Sequence, residues 1–252
     1  MIRVRSFAFV FLLALVAGPA AVCAQANSLT SGVAVAACGE LIGAVRASPE
    51  TPPRLADPDA GALFNLALPL AAAEGPPAPP EQFALLAELS TQAGTLARAY
   101  MLTGTGGNGA LSPQQRLRAE HNFITYLPEI ARIYDFRLQV SARLAAGAAR
   151  YRSTMTPQTA ASPAVRSGLA AIEAEVRANL AAVLSLVADH NIGDPWRLDR
   201  MALLSRHKTE FAVFLDTKPS QEIADQALAA AIAERNPRIG TLLKDFALAI
   251  LR

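Results

Sequence analysis

Apolar residues in this chain recur at intervals of three and four, and polar-proline pairs mark where the apolar segments begin. Ser112-Pro113, Ser162-Pro163, Asp194-Pro195 and Asn236-Pro237 each open such a segment. In a pair of this kind the first side chain can accept from free backbone N–H groups, and the proline takes the first helical position, where no donor is needed. Ser112 also has Gln115 three residues on, which completes a capping box. No period-2 alternation is sustained, and Ala, Leu, Arg and Glu, all helix formers, dominate.

The pattern predicts helices over about 29–46, 81–102, 113–152, 163–190, 195–215, 219–234 and 237–251, with a short one over 60–73. Pro128 falls inside the longest and predicts a kink there. Residues 48–58 form a Pro-rich connector, and Gly75-Pro76-Pro77-Ala78-Pro79-Pro80 reads as a stiff, extended linker. The glycine-rich run 104–109 follows a helix and lacks a Lys-Ser/Thr pair, so it reads as an interhelical turn and not a phosphate loop. Short connectors between long helices imply antiparallel neighbours. The expected fold is all-α: an antiparallel up-and-down helical bundle over 81–252. Before it lies a Pro-rich N-terminal arm over 27–80, either docked as a hairpin or loosely held.

The N-terminus has a different pattern. Arg3 and Arg5 precede an unbroken apolar run from Phe7 to Ala17, then Gly18-Pro19 and small residues to Ala26. Basic end, short apolar core and an Ala24-Gln25-Ala26 cleavage pattern are the order of a secretory signal peptide over 1–26. The expected location is periplasmic or secreted. Membrane attachment follows only if the segment stays uncut, since Ser6–Ala24 approaches the roughly 20 residues a spanning helix needs. A lipid anchor at Cys23 is disfavoured by Val22, where a small residue would be required.

Removing the signal changes what composition implies. It leaves 226 of the 252 residues, enough for one large domain with its own core. The whole chain has 23 Lys+Arg against 21 Asp+Glu, and losing Arg3 and Arg5 balances the two. A neutral chain has no net field to draw it onto nucleic acid, so no nucleic-acid partner is expected. Residues 27–96 carry seven acids and two arginines, so the remainder is basic. Cys38 is then the one cysteine left, which excludes an internal disulfide. Its Ala/Val-rich surroundings point to a buried apolar residue, with a reactive thiol as the alternative.

Two sets of residues carry candidate chemistry. Treating 113–152 as one helix at about 100° per residue places Arg118, Arg132, Arg143 and Arg150 within about 40° of one another. That stripe is either a solvated face or one that meets an anionic partner, such as an acidic protein or an anionic envelope surface. Arg137 projects about 140° from Arg132, among apolar positions, and a buried arginine needs a partner. Glu173 and Glu210 are the candidates. The second set is polar residues on apolar faces: Arg200, His207 and Glu210 beside the Trp196, Leu203, Leu204, Phe211 and Phe214 stripe, and His190 at the end of the preceding helix. With Arg137 they form a candidate ligand-binding cluster inside the bundle, and His190, His207 and Glu210 are the set a metal would need.

The bland readings are a helix-terminal His190, a hydrogen-bonded core His207, a surface His121, and solvated acid pairs at Asp57/Asp59 and Glu173/Glu175. No nucleophile elbow, zinc-protease motif or Cys-His pairing occurs, and no cofactor is implied. The expected function is therefore that of an exported, non-catalytic helical protein binding a protein or envelope-surface partner. The alternative is a small-ligand or metal binder, or an enzyme, built around His190, Arg200, His207 and Glu210.

Overall fold

The computed structural model describes residues 21–105 and 110–251. The predicted signal peptide lies largely outside the described residues, as does most of the glycine-rich run 104–109. Among the described residues the chain is all helical, without strands. The helices are α1 (Ala21–Ala47), α2 (Pro58–Ala67), α3 (Leu70–Ala73), α4 (Phe83–Leu102), α5 (Pro113–Thr125), α6 (Leu127–Thr154), α7 (Pro157–Ala161), α8 (Pro163–Ala188), α9 (Asp194–Arg206), α10 (Lys208–Phe214), α11 (Thr217–Ala233) and α12 (Pro237–Ile250). They form an all-α bundle. No helix among the described residues is long and apolar enough to cross a membrane.

Helices begin within one residue of all four polar-proline pairs, but the leading polar side chain caps in only two of them. Ser112 Oγ accepts from Gln115 N while Gln115 Oε1 accepts from Ser112 N, so the capping box forms at the head of α5. Asn236 Oδ1 likewise accepts from Arg238 N and Ile239 N at the head of α12. Ser162, by contrast, makes no side-chain cap. Asp194 lies inside α9, and its carboxylate accepts from Arg197 and Asn236 instead. At the start of α11, Pro219 stands at the third helical residue, two positions further in than expected.

The predicted 113–152 helix is two helices. α5 ends at Thr125 and α6 begins at Leu127, so Pro128 falls in the first turn of α6, where its missing N–H is not needed. The division falls at Tyr126, which leaves helical geometry, and puts Arg118 on a different element from Arg132, Arg143 and Arg150. The predicted 195–215 helix also divides, at His207 between α9 and α10. No proline or glycine marks that second break.

α6 lies at the centre. It packs against α3, α4, α5, α8, α9 and α10. Leu138, Ile130, Ile133, Val140 and Leu144 are buried along it together with Phe136 and Tyr134. The residues before Pro80 share the same apolar cluster: Leu41, Val45, Phe64 and Leu68 are fully buried within it, so the N-terminal arm is docked and not loosely held.

Arg143 holds that arm in place. Its Nη1 donates to the carbonyls of Ala71 (3.1 Å) and Ala72 (2.6 Å), and its Nε donates to Pro76 O (3.0 Å). Prolines contribute acceptors but no donors, so a guanidinium with several donors suits the Pro-rich segment. One turn along, Gly147 lets the segment close on α6. A Cβ there would overlap the Ala78 backbone, and Ala78 N donates to Arg143 O at 3.1 Å. Arg143→Met is expected to lower stability by about 1–3 kcal/mol, the worth of a charged hydrogen bond or two. Gly147→Val is expected to expel residues 74–80, read as rapid limited proteolysis in that segment while the helical circular dichroism is retained.

Candidate functional site

Arg118, Arg132 and Arg143, three members of the predicted arginine stripe, bond within the chain. Arg118 Nη2 pairs with Glu50 at 3.1 Å, and Arg132 Nη2 reaches Leu68 O at 3.5 Å. Arg143 is engaged as described above, and burial pushes its guanidinium pKa below the ordinary value. Arg150 is exposed. The first three thus bond into the N-terminal part, Arg118 through an acid and Arg132 and Arg143 through backbone carbonyls. Arg54, outside the stripe, does the same work from the other side. Its Nε and the Leu55 N–H both donate to Glu129 Oε1, at 3.2 and 2.8 Å.

Of the five residues of the predicted polar cluster only His207 and Glu210 lie together, and the other three have partners elsewhere. Arg137 is buried between α4 and α8. Its Nε donates to Ser90 O at 3.0 Å and its Nη2 to Glu175 Oε1 at 3.1 Å. Ser90 Oγ donates to the same carboxylate oxygen at 2.7 Å, and Gly94 on α4 leaves room for the guanidinium. The partner is therefore Glu175, neither Glu173 nor Glu210, and Glu175 is not the solvated flank residue the pairing with Glu173 suggested. Glu173 instead accepts from Asp216 N at 2.8 Å, at the head of α11.

Arg200 pairs with Asp135 of α6, and its guanidinium lies over the Trp196 ring at 4.8 Å. Burial raises the Asp135 pKa above the usual carboxylate value, against the lowering effect of Arg200. His207 and Glu210 stand 3.6 Å apart, one turn from each other. His190 Nδ1 lies 4.0 Å from Glu234 Oε1. Within the predicted cluster only His207 and Glu210 come close to each other, and among the described residues no group of three or more His, Cys, Asp or Glu side chains is placed to hold a metal ion.

The most deeply buried ion pair lies outside the predicted set. Arg197 and Glu234 have side-chain exposures of 2% and 1% and are bonded to each other. Arg197 also donates to Val187 O and to Asp194 Oδ1, at 2.6 and 2.8 Å. The hydrogen bonds from Asn236 and Arg197 hold the Asp194 pKa below the usual range. These contacts tie the end of α8, the start of α9 and the α11–α12 connection together. The signal was present in the sequence: Arg197, Met201 and Leu204 follow i, i+4, i+7 spacing, which puts Arg197 on a core stripe. Cys38 is fully buried, and burial pushes its thiol pKa up to about 11, so at neutral pH it carries no thiolate.

The surface offers a groove between α10 and α12 of about 490 Å³, floored by Ala212, Val213, Leu248 and Ala249. Val213 is 67% exposed and Leu248 54%, large values for apolar side chains lining one concavity. Lys208 on α10 and Asp245 on α12 flank the groove, and neither makes an ion pair among the described residues. No protein-family model, curated protein or solved structure matches the chain.

The Arg197–Glu234 pair sets a double-mutant test. Arg197→Met alone strands a buried carboxylate and is expected to cost about 3–5 kcal/mol in chemical denaturation. Adding Glu234→Met should recover most of that loss, because the unpaired charge is then gone.

Proposed function

We propose that this chain is an exported, non-catalytic helical protein that works by binding another protein, and that the partner presents an amphipathic helix to the α10–α12 groove. The observation that carries this reading is the groove itself, with exposed Val213 and Leu248 between one basic and one acidic residue. A groove between two helices accepts the apolar face of a third. Lys208 and Asp245 on opposite walls select a helix with an acid on one side of its apolar stripe and a base on the other. The arginine stripe supports an anionic partner less well, because Arg118, Arg132 and Arg143 already bond within the chain. Export rests on the order of basic, apolar and small residues over 1–26.

The two parts of the proposal are tested separately. For export, the N-terminal mass of the protein recovered outside the cytoplasm should correspond to a chain beginning at Asn27. An intact Met1 would leave the apolar segment as an anchor and overturn the cleaved product.

For docking, a photo-crosslinking residue at position 213 should give, in producing cells, an adduct with one defined protein. Mapping its cross-linked peptide should place the contact on an amphipathic helix with the stated charges. Leu248→Glu should reduce that adduct at least tenfold. An adduct of twice the chain's own mass would assign the groove to self-association and overturn the reading, as would an adduct insensitive to Leu248→Glu or none at all.

A further inference from the structure

Between α3 and α4 the chain reads Pro76-Pro77-Ala78-Pro79-Pro80. A proline ring fixes φ at about −65°, and a residue that precedes a proline is pushed out of the helical region. Pro76, Ala78 and Pro79 all precede a proline. Local sterics therefore hold the segment to a polyproline II helix, and Pro79 has φ −76° and ψ 157°. Such a helix turns about once every three residues, so residues three apart share a side.

Ala78 is the inward residue. It is 2% exposed, its N–H donates to Arg143 O at 3.1 Å, and its carbonyl lies where a side chain at Gly147 would stand. With Ala78 inward, Pro76 and Pro79 share one outer side, and Pro77 and Pro80 share the other. Pro76 and Pro77 are exposed, and Pro79 and Pro80 are half-buried. The segment thus carries two proline ridges at i, i+3 spacing. Arg143 Nε, donating to Pro76 O, and the Ala78 N–H fix it to α6 in extended form.

A polyproline helix has no internal hydrogen bonds and shows its rings and carbonyls outward. Protein domains that read it do so with aromatic-lined grooves, and they gain from a segment that is already extended. Charge narrows the partner further. Glu74 precedes the segment and Glu81 follows its last proline; both are exposed, and neither makes an ion pair among the described residues. We infer that residues 74–81 dock a partner protein through an aromatic-lined groove, whose tryptophan or tyrosine rings take the proline ridges and whose basic rims meet Glu74 and Glu81. This surface shares no residue with the α10–α12 groove.

A photo-crosslinking residue at position 71 tests this in producing cells. Ala71 is exposed, and its carbonyl shares the Arg143 guanidinium with that of Pro76, so the probe stands beside the segment and leaves every proline in place. One defined protein should be trapped, and its cross-linked peptide should carry tryptophan or tyrosine next to lysine or arginine. Pro76→Ala with Pro79→Ala should reduce the adduct at least tenfold while the circular dichroism spectrum is retained. Glu74→Lys with Glu81→Lys, two changes at exposed positions, should reduce it at least threefold, and this pair decides the matter if the proline variant does not fold. Leu248→Glu should leave the adduct unchanged, which separates this surface from the α10–α12 groove. No adduct, a peptide without aromatic residues, an adduct insensitive to either double variant, or one abolished by Leu248→Glu would each overturn the inference.

Discussion

α6 is surrounded by other helices, and burying a polar group without a hydrogen bond is costly, so the side chains it carries inward are met by partners on other elements, although Glu129 Oε2 and Asp135 Oδ1 are buried without one. Those partners define the assembly. Near its start, Glu129 takes Arg54 and the Leu55 amide from the N-terminal connector. Asp135 takes Arg200 from α9, and Arg137 takes Ser90 from α4 and Glu175 from α8. Ser141 accepts from Asn179 of α8, Arg143 holds the Pro-rich segment, and Arg152 reaches the end of α10 and the head of α11. Apolar burial supplies the gross stabilisation, but it is non-directional. The polar ties along α6 are directional, and they specify which helix sits where.

The same constraint accounts for the fate of the candidate cluster. Arg137, Arg200 and the unforeseen Arg197 are each buried, and each is neutralised by a carboxylate close at hand: Glu175, Asp135 and Glu234. A binding site would need such groups to converge and remain uncommitted. Here they are spread over separate helix junctions and paired off, which gives them a structural part to play. Lys208 and Asp245, by contrast, make no ion pair among the described residues and line the α10–α12 groove beside the exposed Val213 and Leu248.

Much of the secondary structure was legible because its causes are local. The Ser112 capping box and the Asn236 cap each involve residues within three positions, and both formed where the sequence placed them. Pro128 was legible as an interruption, but whether it kinked or divided the helix depended on Tyr126 turning out of helical geometry to become a shared boundary. The division at His207 had no local mark at all. Treating 113–152 as one continuous helix carried Arg118 into a stripe it does not share, since α5 has its own axis.

What the sequence by itself determined was the all-α class, most helix positions, the Pro-rich character of the arm and the Ala/Val-rich setting of Cys38. All of these follow from periodicity, capping and composition, which act over a few residues. Tertiary structure decided the partners. Arg143 and Pro76 are far apart in the chain, as are Arg137 and Glu175, and Arg197 and Glu234. Helical spacing shows that a charge lies on an inward face, as it does for Arg137, but it cannot name the carboxylate that meets it. That choice depends on which helices become neighbours, and so does the formation of a cleft between α10 and α12.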